Sequence, residues 1–346
     1  MGTVRRRALI GGGAALVALG AAGFYLQGVR GRMDAPVPRP PGVPVGPFGR
    51  ESTAEEITKG LDLTGKTYLV TGATGGLGFE TIRVLALRGA QVIATGRTLD
   101  KAAEAVGRLS GLFAPVALEL TDYRSVQRCV EQVSASFPAL DGIICNAGVM
   151  ELPKLEQVYG LEKQFVTNHL GHFWLVNALL PKLAAAPQGR VVVVGSGQYR
   201  RAPAAGIEFD NLSGERDYEP TRAYGHSKLA NGLFARALAR RLAGTPATAN
   251  VIVPGVILTE LGRHQPLKSF AGKLIGWTFM KSVEAGAATQ VYVATHPSLA
   301  GVSGQFFSNC NPEIPGGSMQ DDAMAERLWQ VSEALTAEIA DGRRPA

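Results

Sequence analysis

"TGATGGLGFE", residues 71–80, joins a short β-branched run to a stretch of helical period, and its glycines decide how the chain is read. Gly72, Gly76 and Gly78 follow the pattern G-x-x-x-G-x-G directly after the strand-like "TYLVTG". Glycines in that setting let backbone amides at the positive end of a helix approach a pyrophosphate. A tight turn explains the trio on its own; the strand-turn-helix context favours a dinucleotide loop. The same alternation continues down the chain. "QVIATG", "PVALEL", "GIICNAG", "RVVVVGS", "ANVIVPG" and "GQFFS" read as further buried strands, with helical stretches between them. Strands joined by helical crossovers form a parallel sheet covered on both faces. The expected fold is therefore a doubly wound, Rossmann-type α/β domain with a seven-stranded parallel sheet, over residues 52–342.

The ends of the chain are different. Residues 1–50 hold seven arginines against one acid, Asp34, and so account for the whole formal charge of +6. The rest of the chain is neutral, which argues against a nucleic-acid-binding face. Cys129, Cys145 and Cys310 form no C-x-x-C pair, and no histidine cluster has ligand spacing, so neither a disulfide framework nor a metal site is expected. Ala8 to Gly28 is an uncharged run of 21 residues behind Arg5, Arg6 and Arg7, long enough to span a hydrocarbon core of ~30 Å as a helix. A membrane anchor, a twin-arginine export signal and a buried helix all fit residues 1–30; the anchor is preferred, because "GAAGFYLQG" lacks a clean A-x-A cleavage site. Residues 31–51 include "APVPRPPGVPVGPFG", whose prolines and glycines read as an extended tether, with folded structure from near Ser52.

"TGATGGLG", "CNAG" (145–148), "VTNHLGHF" (166–173), "VGS" (194–196), "AYGHSK" (223–228) and "VPGVILT" (253–259) occur in the order seen in short-chain dehydrogenases/reductases. "NHLGHF", "SKLAN" and "HPSLAGVSGQFFSNCNP" resemble the retinol-dehydrogenase-like branch. The resemblance implies a nicotinamide oxidoreductase. It makes Tyr224 the acid/base, Lys228 its partner at i+4 and the ribose holder, Ser196 the hydroxyl that polarises the carbonyl, and Asn168 the anchor of a proton-relaying water. Tyr224 needs a pKa well below the ~10 of a free phenol, and Lys228 is the positive charge expected to provide it. His169 and His172 read as packing residues. The resemblance further assigns cofactor contacts to Gly72, Thr74, Gly76, Leu77, Gly78, Arg97, Glu119, Leu120, Asn146, Ala147, Gly148, Tyr224, Lys228, Pro254, Gly255, Val256 and Thr259. Two positions depart from the family pattern. Cys145 replaces the first asparagine of "NNAG", and Glu119 stands where an aspartate usually meets the adenine amino group, with Asp122 as a substitute.

At the end of the second strand, "VIATGRT", Gly96 takes the position of the acid that would accept from a ribose 2′-hydroxyl, and Arg97 follows it. NADP(H) is thus expected over NAD(H). Residues 260–282 lie where the family builds its substrate lid. Leu267, Phe270, Leu274, Ile275, Trp277, Phe279 and Met280 make that stretch apolar, which fits a lipophilic alcohol or carbonyl, or a helix resting on a membrane. A tethered NADP-binding sensor or scaffold without turnover is the alternative to an enzyme. The expected location is a membrane anchor with the domain on the cytoplasmic side, the alternative being the periplasmic side after export; a homo-oligomer is left open.

Overall fold

The computed structural model describes residues 37–257 and 280–344. The leader of residues 1–30, Thr259 and nearly all of the expected lid lie outside the described residues. Among those described, no helix is long and apolar enough to cross a membrane.

Strands β1 (Thr67–Val70), β2 (Gln91–Gly96), β3 (Leu112–Ala117), β4 (Gly142–Cys145), β7 (Arg190–Val194), β8 (Thr248–Val253), β9 (Phe306–Ser308) and β10 (Asn311–Glu313) form one sheet, in the order β10-β9-β8-β7-β4-β1-β2-β3. Between β4 and β7, β5 (Gln157–Val158) and β6 (Leu161–Glu162) make a separate small hairpin. Every pairing in the large sheet is parallel except β9 with β10. The sheet thus has eight strands where seven are expected from the sequence. The extra strand returns through a two-residue turn whose central residues, Asn309 (φ 49°) and Cys310 (φ 60°), both have positive φ, as a primed hairpin turn requires. Cysteine is not a usual residue for that turn, and Pro312 reads as a strand breaker. An edge strand tolerates the proline because its outer side needs no amide donor. The same holds at the other edge, where Pro115 pairs opposite Ala94 and the strand starts three residues before "PVALEL".

Helices cover both faces. On one side α1 (Ala54–Ile57), α2 (Gly76–Leu87) and α8 (Val283–Thr295) bury Ile57, Ile82, Leu85, Val291 and Tyr292 against the sheet; α3 (Leu99–Val106) lies against β2 and β3. On the other side α4 (Tyr123–Ser136), α6 (Gly171–Ala184) and α7 (Pro220–Arg241) enclose the larger core, and α9 (Asp322–Ala340) packs on α7. A short turn, α5 (Lys163–Phe165), leads into a π-helical segment, Val166–Leu170, ahead of α6. Part of the proline-rich stretch belongs to this structure. Val43 and Phe48 pack against the core, Phe48 sits edge-on to Tyr292 with ring centroids 5.6 Å apart, and Asn311 Nδ2 donates to its carbonyl at 2.7 Å.

Candidate active site

The strand order reverses between β1 and β4, and in open α/β sheets the crevice that takes a ligand lies at such a switch point, outside the carboxyl ends of the strands. Backbones crowd together at its floor. Gly72, at φ 67°, would carry a Cβ 2.9 Å from the Ala147 Cα, and a Cβ on Gly78 would lie 2.2 Å from the Gly72 carbonyl oxygen and 2.6 Å from Asn146 Nδ2. Asn146 donates through Nδ2 to the Thr71 carbonyl at 2.8 Å and so ties the "NAG" turn to the end of β1. Helix α2 starts at Gly76 with Gly75 as its N-cap, and no side chain caps its first amides. A bare helix N-terminus above a floor kept clear of Cβ atoms fits the pyrophosphate of a dinucleotide. Thr74, Leu77, Ala147 and Gly148 line the same turn pair. On the opposite lip, Pro254, Gly255 (φ 95°) and Val256, which is 61% exposed, follow β8.

The adenosine side is less complete. A Cβ on Gly96 would lie 2.8 Å from Thr74 Cγ2 and 3.0 Å from the Ala102 amide nitrogen, so the position has no room for an acidic side chain. Arg97 beside it is exposed. Glu119 Oε1 accepts from the amide and hydroxyl of Thr121, at 3.0 and 2.8 Å, which turns that carboxylate oxygen into its own loop. Asp122 caps α4 by accepting from the Arg124 amide at 2.9 Å. Leu120 is buried, and its carbonyl oxygen lies 2.4 Å from where a Gly171 Cβ would be.

Four expected catalytic side chains come from three elements. Ser196 follows β7 by two residues and caps the 3-10 turn Gly197–Arg201 by accepting from the Gln198 amide at 3.2 Å. Tyr224 and Lys228 sit one turn apart on α7, which Glu219 caps ahead of Pro220. Asn168 lies in the π-helical segment, fully buried. Its Oδ1 accepts from the Val149 amide at 2.8 Å, and its Nδ2 donates to the Val149 carbonyl and to Ser227 Oγ, both at 2.9 Å. Ser227 in turn donates to the Tyr224 carbonyl at 2.8 Å, linking Asn168 to the helix that carries the tyrosine. Gly148 leaves the space in which the two sides meet: a Cβ there would be 3.0 Å from Asn168 Oδ1 and 3.7 Å from Lys228 Nζ.

The electrostatics differ from the expectation. Burial pushes the Tyr224 phenol up to about 12; its hydrogen bond with Ser196 acts in the opposite direction, and the Glu151 carboxylate adds to the rise. Lys228 Nζ is 5.7 Å from the Tyr224 ring centroid and donates to the Val194 carbonyl at 2.9 Å. Burial lowers Lys228 to about 8. The lysine therefore does not bring the phenol down within the protein alone, and Tyr224 is held protonated at neutral pH. Three contributors escape the sequence reading. Ser227 and Gly225 lie inside "AYGHSK" yet act only through the helix crossing, and Glu151 sits in a loop without a motif.

A family model described as short chain dehydrogenase matches residues 66–268. Retinol dehydrogenase 14 of Homo sapiens is 39% identical, over 78% of this chain and 86% of that protein. Short-chain dehydrogenase TIC 32 B, chloroplastic, of Brassica napus is 37% identical, over 82% of this chain and 93% of that one. Among solved structures, that of an uncharacterized protein from Mycobacterium Paratuberculosis aligns with a TM-score of 0.63 at 33% identity, covering 80% of this chain and 95% of that one. The chain belongs to the short-chain dehydrogenase/reductase family, whose members are nicotinamide-dependent oxidoreductases. Within that family it is similar to the retinol dehydrogenases.

Gly225 offers a test of the helix crossing. A Cβ there would lie 2.7 Å from the Gln198 carbonyl oxygen and 2.8 Å from both the Ala202 nitrogen and the Arg201 carbonyl carbon, all backbone atoms of the turn behind Ser196. Gly225→Ala should displace that turn and lower kcat by about 10- to 100-fold, the effect of a misplacement near 1 Å. Cofactor affinity, measured by fluorescence titration, should stay within about twofold, because the crevice floor is on other elements. Full activity in Gly225→Ala would show that the crossing does not set the Ser196–Tyr224 pair.

Proposed function

We propose that the protein is an NADP(H)-dependent oxidoreductase that interconverts a lipophilic alcohol and its carbonyl compound, with Tyr224 as the proton-transfer group. The observation that carries this reading is the convergence of Asn168, Ser196, Tyr224 and Lys228 beside a glycine-floored crevice. The cofactor, when bound, supplies or accepts the hydride. In the reducing direction the Ser196 hydroxyl hydrogen-bonds the carbonyl oxygen, and Tyr224, protonated beforehand, gives its proton to that oxygen as negative charge develops there. Burial lowers Lys228 to about 8, and it lies within a turn of the phenol, which suits it to hold the ribose and to feed a proton back. Gly72, Thr74, Gly76, Leu77 and Gly78 would hold the pyrophosphate, Asn146, Ala147 and Gly148 the ribose floor, and Pro254 to Val256 and Thr259 the nicotinamide side. Support for NADP(H) comes from the exposed Arg97 beside Gly96, and support for a lipophilic substrate from the retinol-named relatives and the apolar segment 260–282. Residues 8–28 we read as a membrane anchor.

Tyr224→Phe should cut turnover of lipophilic aldehydes by roughly 10²- to 10⁴-fold and leave NADPH binding intact, the range for a general acid. Near-normal turnover would remove Tyr224 from the chemistry. Tight NADPH binding with no turnover of any carbonyl by the unmodified protein would instead favour a sensor or scaffold. For the cofactor, Arg97→Ala should weaken NADPH by about 1.5–3 kcal/mol, as for a lost hydrogen bond to a charged group, and barely affect NADH. Equal losses for both would give Arg97 another role. Cell fractionation with N-terminal sequencing checks the anchor: an intact terminus in the membrane fraction is expected, and a soluble protein beginning between residues 21 and 40 rules it out.

A further inference from the structure

The histidines of "NHLGHF" have no part in the reaction outlined above, yet the hydrogen bonds of His172 give it more than a packing role. The ring is buried between the end of β1 and the π-helical segment. Nε2 lies 2.8 Å from Thr71 Oγ1, and Nδ1 lies 2.9 Å from the main-chain oxygen of Asn168. A threonine hydroxyl has one proton and two lone pairs. Thr71 Oγ1 accepts from the amides of Asn146 and Ala147, each at 2.9 Å, which occupies both lone pairs. Its proton must therefore be donated. The imidazole nitrogen at 2.8 Å takes it in preference to the Ile144 carbonyl at 3.4 Å. Nε2 is then the acceptor, Nδ1 carries the hydrogen, and Nδ1 donates to Asn168. The hydroxyl of one residue thus sets the tautomer of the next. Burial first, and then the charge of nearby Lys228, keep the imidazolium unfavourable, with the ring pushed down to about 4, so it stays neutral near pH 7.

Asn168 sits where the backbone departs from an ordinary helix. In the π-helical segment the Gly171 amide bonds back five residues to Val166, so the local carbonyls are out of step with an ordinary helical ladder. The side-chain amide of Asn168 is committed to Val149 and Ser227, so the His172 ring meets this residue at its main-chain carbonyl. His172, one turn further along, supplies a donor there from a ring clamped at its far end by Thr71.

We propose that His172 is a positioning residue that ties the main-chain carbonyl of Asn168 to Thr71, and through Thr71 to the Asn146–Ala147 floor of the cofactor crevice. The π-helical segment and the crevice floor then hold one register. Phenylalanine at 172 fills similar space but bonds neither end. Asparagine carries a donor where Nδ1 lies, but stops short of Thr71.

The kinetic arm of the test rests on the oxidoreductase reading; two other arms do not. In the full chain, ¹⁵N-histidine NMR should find His172 as the Nδ1–H tautomer. Amide hydrogen exchange of residues 166–170, measured without cofactor, should accelerate about tenfold or more in His172→Phe and less in His172→Asn, a local opening of the segment. If the protein turns over carbonyls, His172→Phe should lower kcat by about 10- to 100-fold with KM for NADPH within about threefold, and His172→Asn should recover part of that loss. An Nε2–H tautomer overturns the proposal, including where His172→Phe does not fold. So does equal behaviour of the Phe and Asn variants, or a kcat loss that only follows the folded fraction. Absence of turnover alongside the expected tautomer and exchange pattern would sink the oxidoreductase reading and leave the positioning role standing.

Discussion

Backbone lies directly on backbone where β1 ends, and the candidate site depends on that contact. Gly72 rests against Ala147, and Gly78 against the Gly72 carbonyl, at separations that leave no volume for a methyl group. Such a contact gains little energy by itself, since dispersion between a few atoms is small. Its effect is geometric. It brings the N-terminus of α2 over the crevice and sets the "NAG" turn beside the first strand, close enough for Thr71 to accept from two of its amides. Two of the candidate catalytic groups are then measured from that floor: Asn168 through Val149, and Lys228 across Gly148.

Burial is the next determinant, and it acts in the same sense on Tyr224, Lys228, His172 and Cys145. Desolvation disfavours whichever form is charged. It raises Tyr224, lowers Lys228 and His172, and raises the Cys145 thiol beneath them. Local partners oppose this only in part, as the Ser196 hydrogen bond does for Tyr224. The result is a site in which the phenol, the imidazole and the thiol are neutral, the first two hold directed hydrogen bonds, and Lys228 is the buried positive charge beside them. Cys145 fits that environment as a small apolar residue, which explains why its departure from the family pattern leaves the turn intact.

The outer elements hold this arrangement from behind. Trp329 of α9 meets Phe173 of α6 edge-on at 4.9 Å and stacks on Phe234 of α7 at 6.0 Å, while the Arg241 guanidinium lies over its ring at 3.9 Å. Ser332, on the same helix, lies 2.8 Å from His169 Nε2, next to Asn168 in the chain. The C-terminal helix thus packs on α7, which carries Tyr224 and Lys228, and bonds to the π-helical segment that carries Asn168. Phe48, at the other end of the chain, packs against α8 on the opposite face. A stretch rich in proline still packs where it offers an aromatic side chain, because burying that ring outweighs the absence of regular hydrogen bonding.

Local pattern was enough for much of this. Period and β-branched runs specify strand and helix because a pleated or helical backbone repeats its buried face at fixed intervals, and the parallel sheet follows from the crossovers. Glycine spacing located the crevice, since only glycine permits such close approach. "AYGHSK" placed Tyr224 and Lys228 on one helix face for the same periodic reason. What the sequence could not hold was anything arising between distant segments. The eighth strand depends on an edge that tolerates Pro312, and the docking of Phe48 on a surface formed by α8. The protonation of Tyr224 depends on burial by neighbours remote in sequence. The bonding of His172 depends on a hydroxyl about a hundred residues away. Each is a property of distance and dielectric in the folded chain, and neither quantity is written in the order of residues.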